Sequence, residues 1–173
     1  MKKVLFTLAL PLLMFSCANE NKTGTGADLC KQIDQTVEVA KQQMGYQVEL
    51  IEKAGKFINP RTTNDNKIVY VPKDDWTSGF FPGNVWYMYE LTGDNKWRDL
   101  AIKYTEDLDS VKYLKWHHDV GFMIDCSFGN GYRLTNNQAY KEVVIEAAIS
   151  LSPRFRPAAG VIQWWDEDRG WQG

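Results

Sequence analysis

The segment Trp116-His117-His118-Asp119-Val120-Gly121-Phe122 sets two imidazoles and a carboxylate among aromatic rings. A carboxylate beside histidine in apolar surroundings suits acid–base or hydrogen-bonding chemistry, because burial and neighbouring charge shift pKa values. The same residues have a plainer use, with Asp119 capping a helix and His118 packed over it. Local chemistry leaves both open. These adjacent histidines are the only two in the chain. Their spacing matches no metal-binding pattern, so no metal and no cofactor are expected.

A second group is Trp76-Thr77-Ser78-Gly79-Phe80-Phe81-Pro82-Gly83, which puts an indole at the start of a helix, where it can face a cavity. A flat indole suits the C–H face of a sugar ring, while neighbouring polar groups take the hydroxyls. Trp86 and Trp97, inside helices, read as core. Trp164-Trp165-Asp166-Glu167-Asp168 again joins a stacking surface to acceptors, at the end of a loop. Arg133 and Arg154 carry no mark of a ligand contact and read as surface or structural. The chain has no Gly-x-Ser-x-Gly elbow and no phosphate loop, so triad hydrolysis and nucleotide chemistry have no support.

Helices must position these groups. Leu29, Ile33, Val37, Ala40, Met44, Val48 and Ile51 recur at steps of three and four, one face of a long amphipathic helix. Phe57 to Asp75 reads as a long loop with a short extended piece at Ile68 to Val71. A second helix opens at Ser78 to Pro82 and ends at Thr92-Gly93. Asp94 caps a third, with Trp97, Leu100, Ala101, Tyr104, Leu108 and Val111 as its apolar stripe. Asn136 or Asn137 caps a fourth, through Tyr140, Val143, Val144, Ala147, Ala148 and Leu151, until Pro153 stops it. Lys112 to Asn136 and Ser152 to Gly173 read as long loops, and Val161 to Trp165 is the best strand candidate. The class is all-α, built from antiparallel helix pairs.

Composition narrows the function. With 173 residues, 44% hydrophobic and 24% charged, the chain is an ordinary globular one, and its net charge of −2 argues against nucleic acid as a partner. Aromatics make up 13%, and Trp76, Phe80, Phe81, Trp86, Tyr87 and Tyr89 crowd one short stretch. Lys2 and Lys3 before the apolar run Val4 to Phe15 suit a signal peptide over residues 1–16. Ser16-Cys17 resembles a lipoprotein box, with Cys17 lipidated and residues 17–27 a tether; plain secretion is the alternative. The expectation is an exported bacterial protein, periplasmic or anchored to the outer membrane. Cys30 and Cys126 then read as buried free thiols.

Taken together, Trp76 to Trp86, Tyr89-Glu90-Leu91-Thr92-Gly93-Asp94, His117 to Met123, Ser127-Phe128-Gly129-Asn130-Gly131-Tyr132-Arg133-Leu134-Thr135 and Ala147 to Phe155 resemble the unsaturated glucuronyl hydrolases, glycoside hydrolase family 88. The resemblance runs from about Trp76 to Gly173 and implies an (α/α)6 barrel, a toroid of six helix hairpins. Residues 28–173 supply less than half of such a ring, so the sequence reads as an amino-terminal fragment, incomplete at the carboxyl end. The implied activity removes a 4,5-unsaturated uronic acid from the non-reducing end of lyase-made oligosaccharides, glycosaminoglycan-derived or similar, by hydrating the enol-ether double bond. By resemblance Asp119 matches one of two catalytic aspartates, the one that holds ring hydroxyls and supports the transition state. Trp76, His118 and Trp165 match positions lining the sugar pocket. The proton-donating aspartate belongs to a segment that nothing here matches. Two alternatives stand beside this reading: an unsaturated rhamnogalacturonyl hydrolase, and a non-catalytic lipoprotein that binds oligosaccharides.

Overall fold

A computed structural model describes residues 25–56 and 58–163. The chain divides into two units, residues 1–36 and 37–173. The described part of the first is the opening of helix α1 (Thr25–Ala54), where Gln32 Nε2 donates to Asp28 Oδ2 at 3.0 Å and Thr36 Oγ1 to the Gln32 carbonyl at 2.8 Å. Leu29 and Ile33, expected on a buried stripe, are exposed here, and so is Cys30. Periodicity identified the helix and its apolar face correctly; whether a neighbour covers that face is decided by tertiary packing, which periodicity does not report. The expected signal peptide, Cys17 and Trp165 lie outside the described residues.

In the second unit the stripe does its work: Val48 and Ile51 are buried, and Ala40 and Met44 pack against the same core. Next comes a hairpin where a long loop was expected, its second strand coinciding with the extended piece expected at Ile68 to Val71. Strands β1 (Asn59–Asn64) and β2 (Lys67–Val71) pair antiparallel, with an irregularity between Pro60 and Thr62. The turn between them is Asp65-Asn66, both at positive φ (47° and 60°), the geometry of a tight two-residue hairpin turn, which Asp and Asn tolerate better than most residues. The polar strand Asn-Pro-Arg-Thr-Thr-Asn has no apolar alternation, so only its turn could have announced it.

Helices α2 (Phe80–Thr92) and α3 (Asn95–Glu106) form a pair. Gly93 ends α2 at φ 66°, its N–H on the Tyr89 carbonyl, and Asp94 caps α3 by accepting from the Lys96 N–H at 2.8 Å. Between them the Trp86 indole N–H donates to Thr105 Oγ1 at 2.9 Å, both residues fully buried, and the Phe81 and Tyr104 rings lie 5.1 Å apart. The stripe expected to run on through Leu108 and Val111 in one helix is broken: α3 ends at Glu106, and a 3₁₀ segment (Asp109–Tyr113) brings Val111, with Leu108 just before it, into the same core.

The expected loop from Lys112 to Asn136 is mostly helical. It contains α4 (Val120–Ile124), a π turn (Asp125–Gly129) and α5 (Asn130–Thr135) in unbroken succession. One of its glycines, Gly131, serves a close approach. A Cβ at Gly131 would meet the Tyr140 ring at 2.6 Å and the Trp86 ring at 3.0 Å. Asn136 in the left-handed region ends α5, and Asn137 caps α6 (Gln138–Leu151) by accepting from the Ala139 N–H. Strands β3 (Phe155–Arg156) and β4 (Val161–Ile162) make a second small hairpin, so the expected strand begins at Val161 but ends at Ile162, before the described Gln163. The helical class holds, with two β-hairpins added.

Candidate active site

Asp119 stands just before α4, and its carbonyl accepts from the Phe122 and Met123 N–H groups. Its carboxylate makes no capping bond. That separates the two uses left open by sequence: the backbone starts the helix and the side chain stays available. His118 Nε2 lies 3.2 Å from Asp119 Oδ2, and His117 Nδ1 lies 3.8 Å from the same oxygen. The Asp119 N–H donates to His117 Nδ1 at 3.2 Å, which leaves the proton of a neutral His117 on Nε2. Burial pulls His117 below the ordinary histidine range; the Asp119 charge opposes that shift and the neighbouring His118 adds to it. The His117 ring stacks on His118 at 5.7 Å and tilts against Trp116 at 4.9 Å.

Arg154, only 5% exposed, reaches back to hold the strand of chain before this group. It donates to the carbonyls of Lys115 (3.3 Å), Trp116 (3.2 Å) and Gln163 (2.8 Å). The structural reading of Arg154 is therefore right, and the thing it supports is the His117-His118-Asp119 segment. Arg133 is bound on the surface by Glu90, with contacts of 2.6 and 2.8 Å.

Trp76 is 38% exposed and sits in an aromatic trio, 5.7 Å from Phe80 and 6.1 Å from Phe122, with Phe80 and Phe122 6.0 Å apart. Phe122 is one helical turn beyond Asp119, so the trio and the carboxylate share one end of α4. Gly79 makes this possible: a Cβ there would lie 2.2 Å from the Met123 carbonyl oxygen and 2.4 Å from that of Phe122. The first hairpin completes the group, because Arg61 of β1 holds its guanidinium 6.0 Å from the Trp76 ring and donates to Asp75 Oδ2 at 3.1 Å. Asp75 Oδ1 in turn accepts from the Thr77 N–H and hydroxyl.

Phe80 also walls two adjoining cavities. One of about 440 Å³ is lined by Gln43, Gln47, Arg61, Thr77 and Asn84 among others, and one of about 290 Å³ by Asn84, Tyr87, Cys126 and Asn130. Trp76, His118 and Asp119 line neither. Burial, aided by the Asp125 charge, pushes the half-buried Cys126 thiol up, away from thiolate chemistry. Sequence reasoning missed Phe80, Phe122 and Arg61 as members of the group. Only the Gly79 contact brings Phe122 to Trp76, and only the unforeseen hairpin brings Arg61. It also missed that His117, His118 and Asp119 converge: one ligand atom from each lies within 4.8 Å of the others, despite the unhelpful sequence spacing.

No family model matches the chain. An unsaturated glucuronyl hydrolase of Formosa agariphila is 33% identical over 172 residues, 96% of this chain and 42% of that protein. The crystal structure of an unsaturated glucuronyl hydrolase specific for heparin superposes with a TM-score of 0.66 at 36% identity, over 78% of this chain and 37% of that one. A Streptococcus agalactiae unsaturated glucuronyl hydrolase variant, solved with dGlcA-GalNAc6S, gives a TM-score of 0.63 at 26% identity, over 71% of this chain and 33% of that one. This chain thus spans well under half the length of the relatives it matches. Those structures are α/α barrels, and the helix pairs described above form part of such a barrel.

Proposed function

This chain belongs to the unsaturated glucuronyl hydrolases, and from that premise we propose that its protein removes a 4,5-unsaturated uronic acid from the non-reducing end of lyase-generated oligosaccharides. The reaction is a hydration. A proton is delivered to C4 of the enol ether, oxocarbenium character develops at C5, and water adds there, losing its own proton to a base. The resulting hemiketal opens to the ketone and releases the remaining sugar. Charge develops on the ring, so a carboxylate that holds the ring hydroxyls stabilises the transition state more than the ground state.

One observation carries the assignment of that task to Asp119. Its carboxylate is spared from capping, steadied by His118 at 3.2 Å, and one turn from the aromatic trio. Trp76 gives the sugar a stacking face, and His118 a donor to the carboxylate or a hydroxyl. The resemblance adds Trp165 as a further substrate-binding residue. By the resemblance, the proton donor is a second aspartate in a segment that nothing in this sequence matches. The leader and Ser16-Cys17 support an exported protein tethered through lipidated Cys17, facing extracellular or periplasmic glycan fragments.

The test uses the protein at the length its gene encodes, mixed with lyase-made unsaturated disaccharides. The absorbance of the conjugated double bond should disappear while saturated disaccharides remain intact. Absorbance that persists across glycosaminoglycan-derived substrates contradicts the proposal.

A further inference from the structure

We propose that His117, His118 and Asp119 form a binding site for a divalent transition metal of the zinc class. Zinc bound at 2.0–2.2 Å by nitrogen and oxygen spaces its ligands about 3.3 Å apart along a tetrahedral edge. Asp119 Oδ2 already lies 3.2 Å from His118 Nε2 and 3.8 Å from His117 Nδ1, and all three donors fall within 4.8 Å of one another. Two imidazoles and a carboxylate are a donor set that zinc and its neighbours favour, and three protein ligands leave one position open to water.

The surroundings supply what such a site needs beyond its ligands. Asp119 has no capping bond to lose. The ring of His118 is stacked on that of His117, which in turn lies against Trp116, so neither imidazole swings freely. Arg154 fixes the carbonyls of Lys115 and Trp116, immediately before the ligands. All three residues are mostly buried but not sealed, so an ion can reach them. Binding asks His117 Nδ1 to trade the 3.2 Å bond from the Asp119 N–H for the metal, and His118 Nε2 to face the metal without a proton in place of its 3.2 Å contact with Asp119 Oδ2. The site rests on this geometry and not on the hydrolase reading. Where that reading also holds, the ion occupies Asp119 and zinc inhibits turnover.

These are the only two histidines in the chain, which makes the test direct. In the untagged chain, imidazole ¹⁵N resonances are followed during a Zn²⁺ titration, and Co²⁺ serves as a visible-absorption probe of coordination. Both histidines should shift together and saturate at one equivalent, with the intense bands of four-coordinate cobalt. Asp119→Asn should weaken binding at least tenfold, and Cys30→Ser should leave it unchanged. The proposal is overturned if neither histidine shifts, if the shifts fail to saturate near one equivalent, if Asp119→Asn binds as well as the parent, or if Cys30→Ser abolishes binding. The wild-type titration decides the matter even if a variant does not fold.

Discussion

Gly79→Ala should damage both the fold and the site, while Gly121→Ala, on the helix that Gly79 touches, should not. The added Cβ at Gly79 would sit 2.2 Å from the Met123 oxygen, 2.4 Å from the Phe122 oxygen and 2.7 Å from the Met123 carbonyl carbon. Ordinary contact begins near 3.4 Å, and every obstructing atom is backbone, so the start of α2 and α4 must part by roughly 1 Å. Overpacking typically costs about 1–3 kcal/mol, and with no flexible side chain to yield, the upper end applies. For a chain of this size that lowers the melting temperature by about 6–12 °C. The same displacement draws Trp76 away from Phe122, so binding of an unsaturated disaccharide should weaken as well. At Gly121 a Cβ meets nothing within 4 Å, and φ is not positive. Alanine there should stabilise the helix by about 0.5–1 kcal/mol. Urea and thermal unfolding followed by tryptophan fluorescence give both numbers. A Gly79→Ala protein as stable as the parent, or a Gly121→Ala protein that is the worse of the two, refutes the close crossing of α2 and α4.

Trp97→Ala, which empties a core position, should cost about 3–5 kcal/mol, whereas half-exposed Trp76→Ala should cost much less stability and more substrate affinity; calorimetry and ligand titration rank the two, and a reversed order means that the wrong indole has been assigned to the site. In an NMR titration His117 should titrate below 6.5, its buried ring resisting charge. Because the folded pKa is the lower one, its contribution to stability is complete above 6.5. It declines as pH falls from 6.5 through the folded value, and a titration at or above 6.5 would show the ring to be solvated. Glu52 is held below the usual carboxylate range of 4.5 by hydrogen bonds from Lys103 and Tyr104. Stability from it is present above 4.5 and lost as pH falls through the depressed value, so Glu52→Gln should flatten that part of the pH–stability curve. Ile145 and Ile149 are exposed one turn apart on α6. Through this face the chain should associate with rising concentration in sedimentation, and lysine at both should suppress that without lowering the melting temperature; a parent that stays monomeric, or association that survives the change, refutes the role of this face.

What the sequence revealed followed from local chemistry. Asp94, Asn137, Gly93 and Pro153 act through their own backbone neighbourhood, so the end of α2, the start of α3 and both ends of α6 were legible, whereas α3 stops at Glu106, short of the expected Leu108 and Val111. Trp86 and Trp97 fell within helical stripes and proved buried. The missed features depend on what lies across the fold. Gly131 lies against Tyr140 and Trp86, contacts from distant parts of the chain, and the helical stretch around it passed for a loop. Leu29 and Ile33 carry the right period but are exposed. In the candidate site, Asp119 and His118 were singled out by local chemistry and resemblance. The convergence of His117 on the same carboxylate depends on backbone torsions between adjacent residues, which spacing rules for metal sites do not cover. Arg61 reaches Trp76 only because Asp65 and Asn66 accept positive φ and turn the chain back.

The central claim is that Asp119 acts on an unsaturated uronyl sugar, and Asp119→Asn in the protein at its encoded length tests it most directly. The substitution keeps the size and shape of the side chain and removes its charge. If the carboxylate stabilises the transition state, kcat on an unsaturated disaccharide should fall by about 10² to 10⁴, roughly 3 to 5 kcal/mol, with an unchanged melting temperature and substrate affinity largely kept. A kcat within a few-fold of the parent, measured on a folded variant, contradicts the assignment of Asp119.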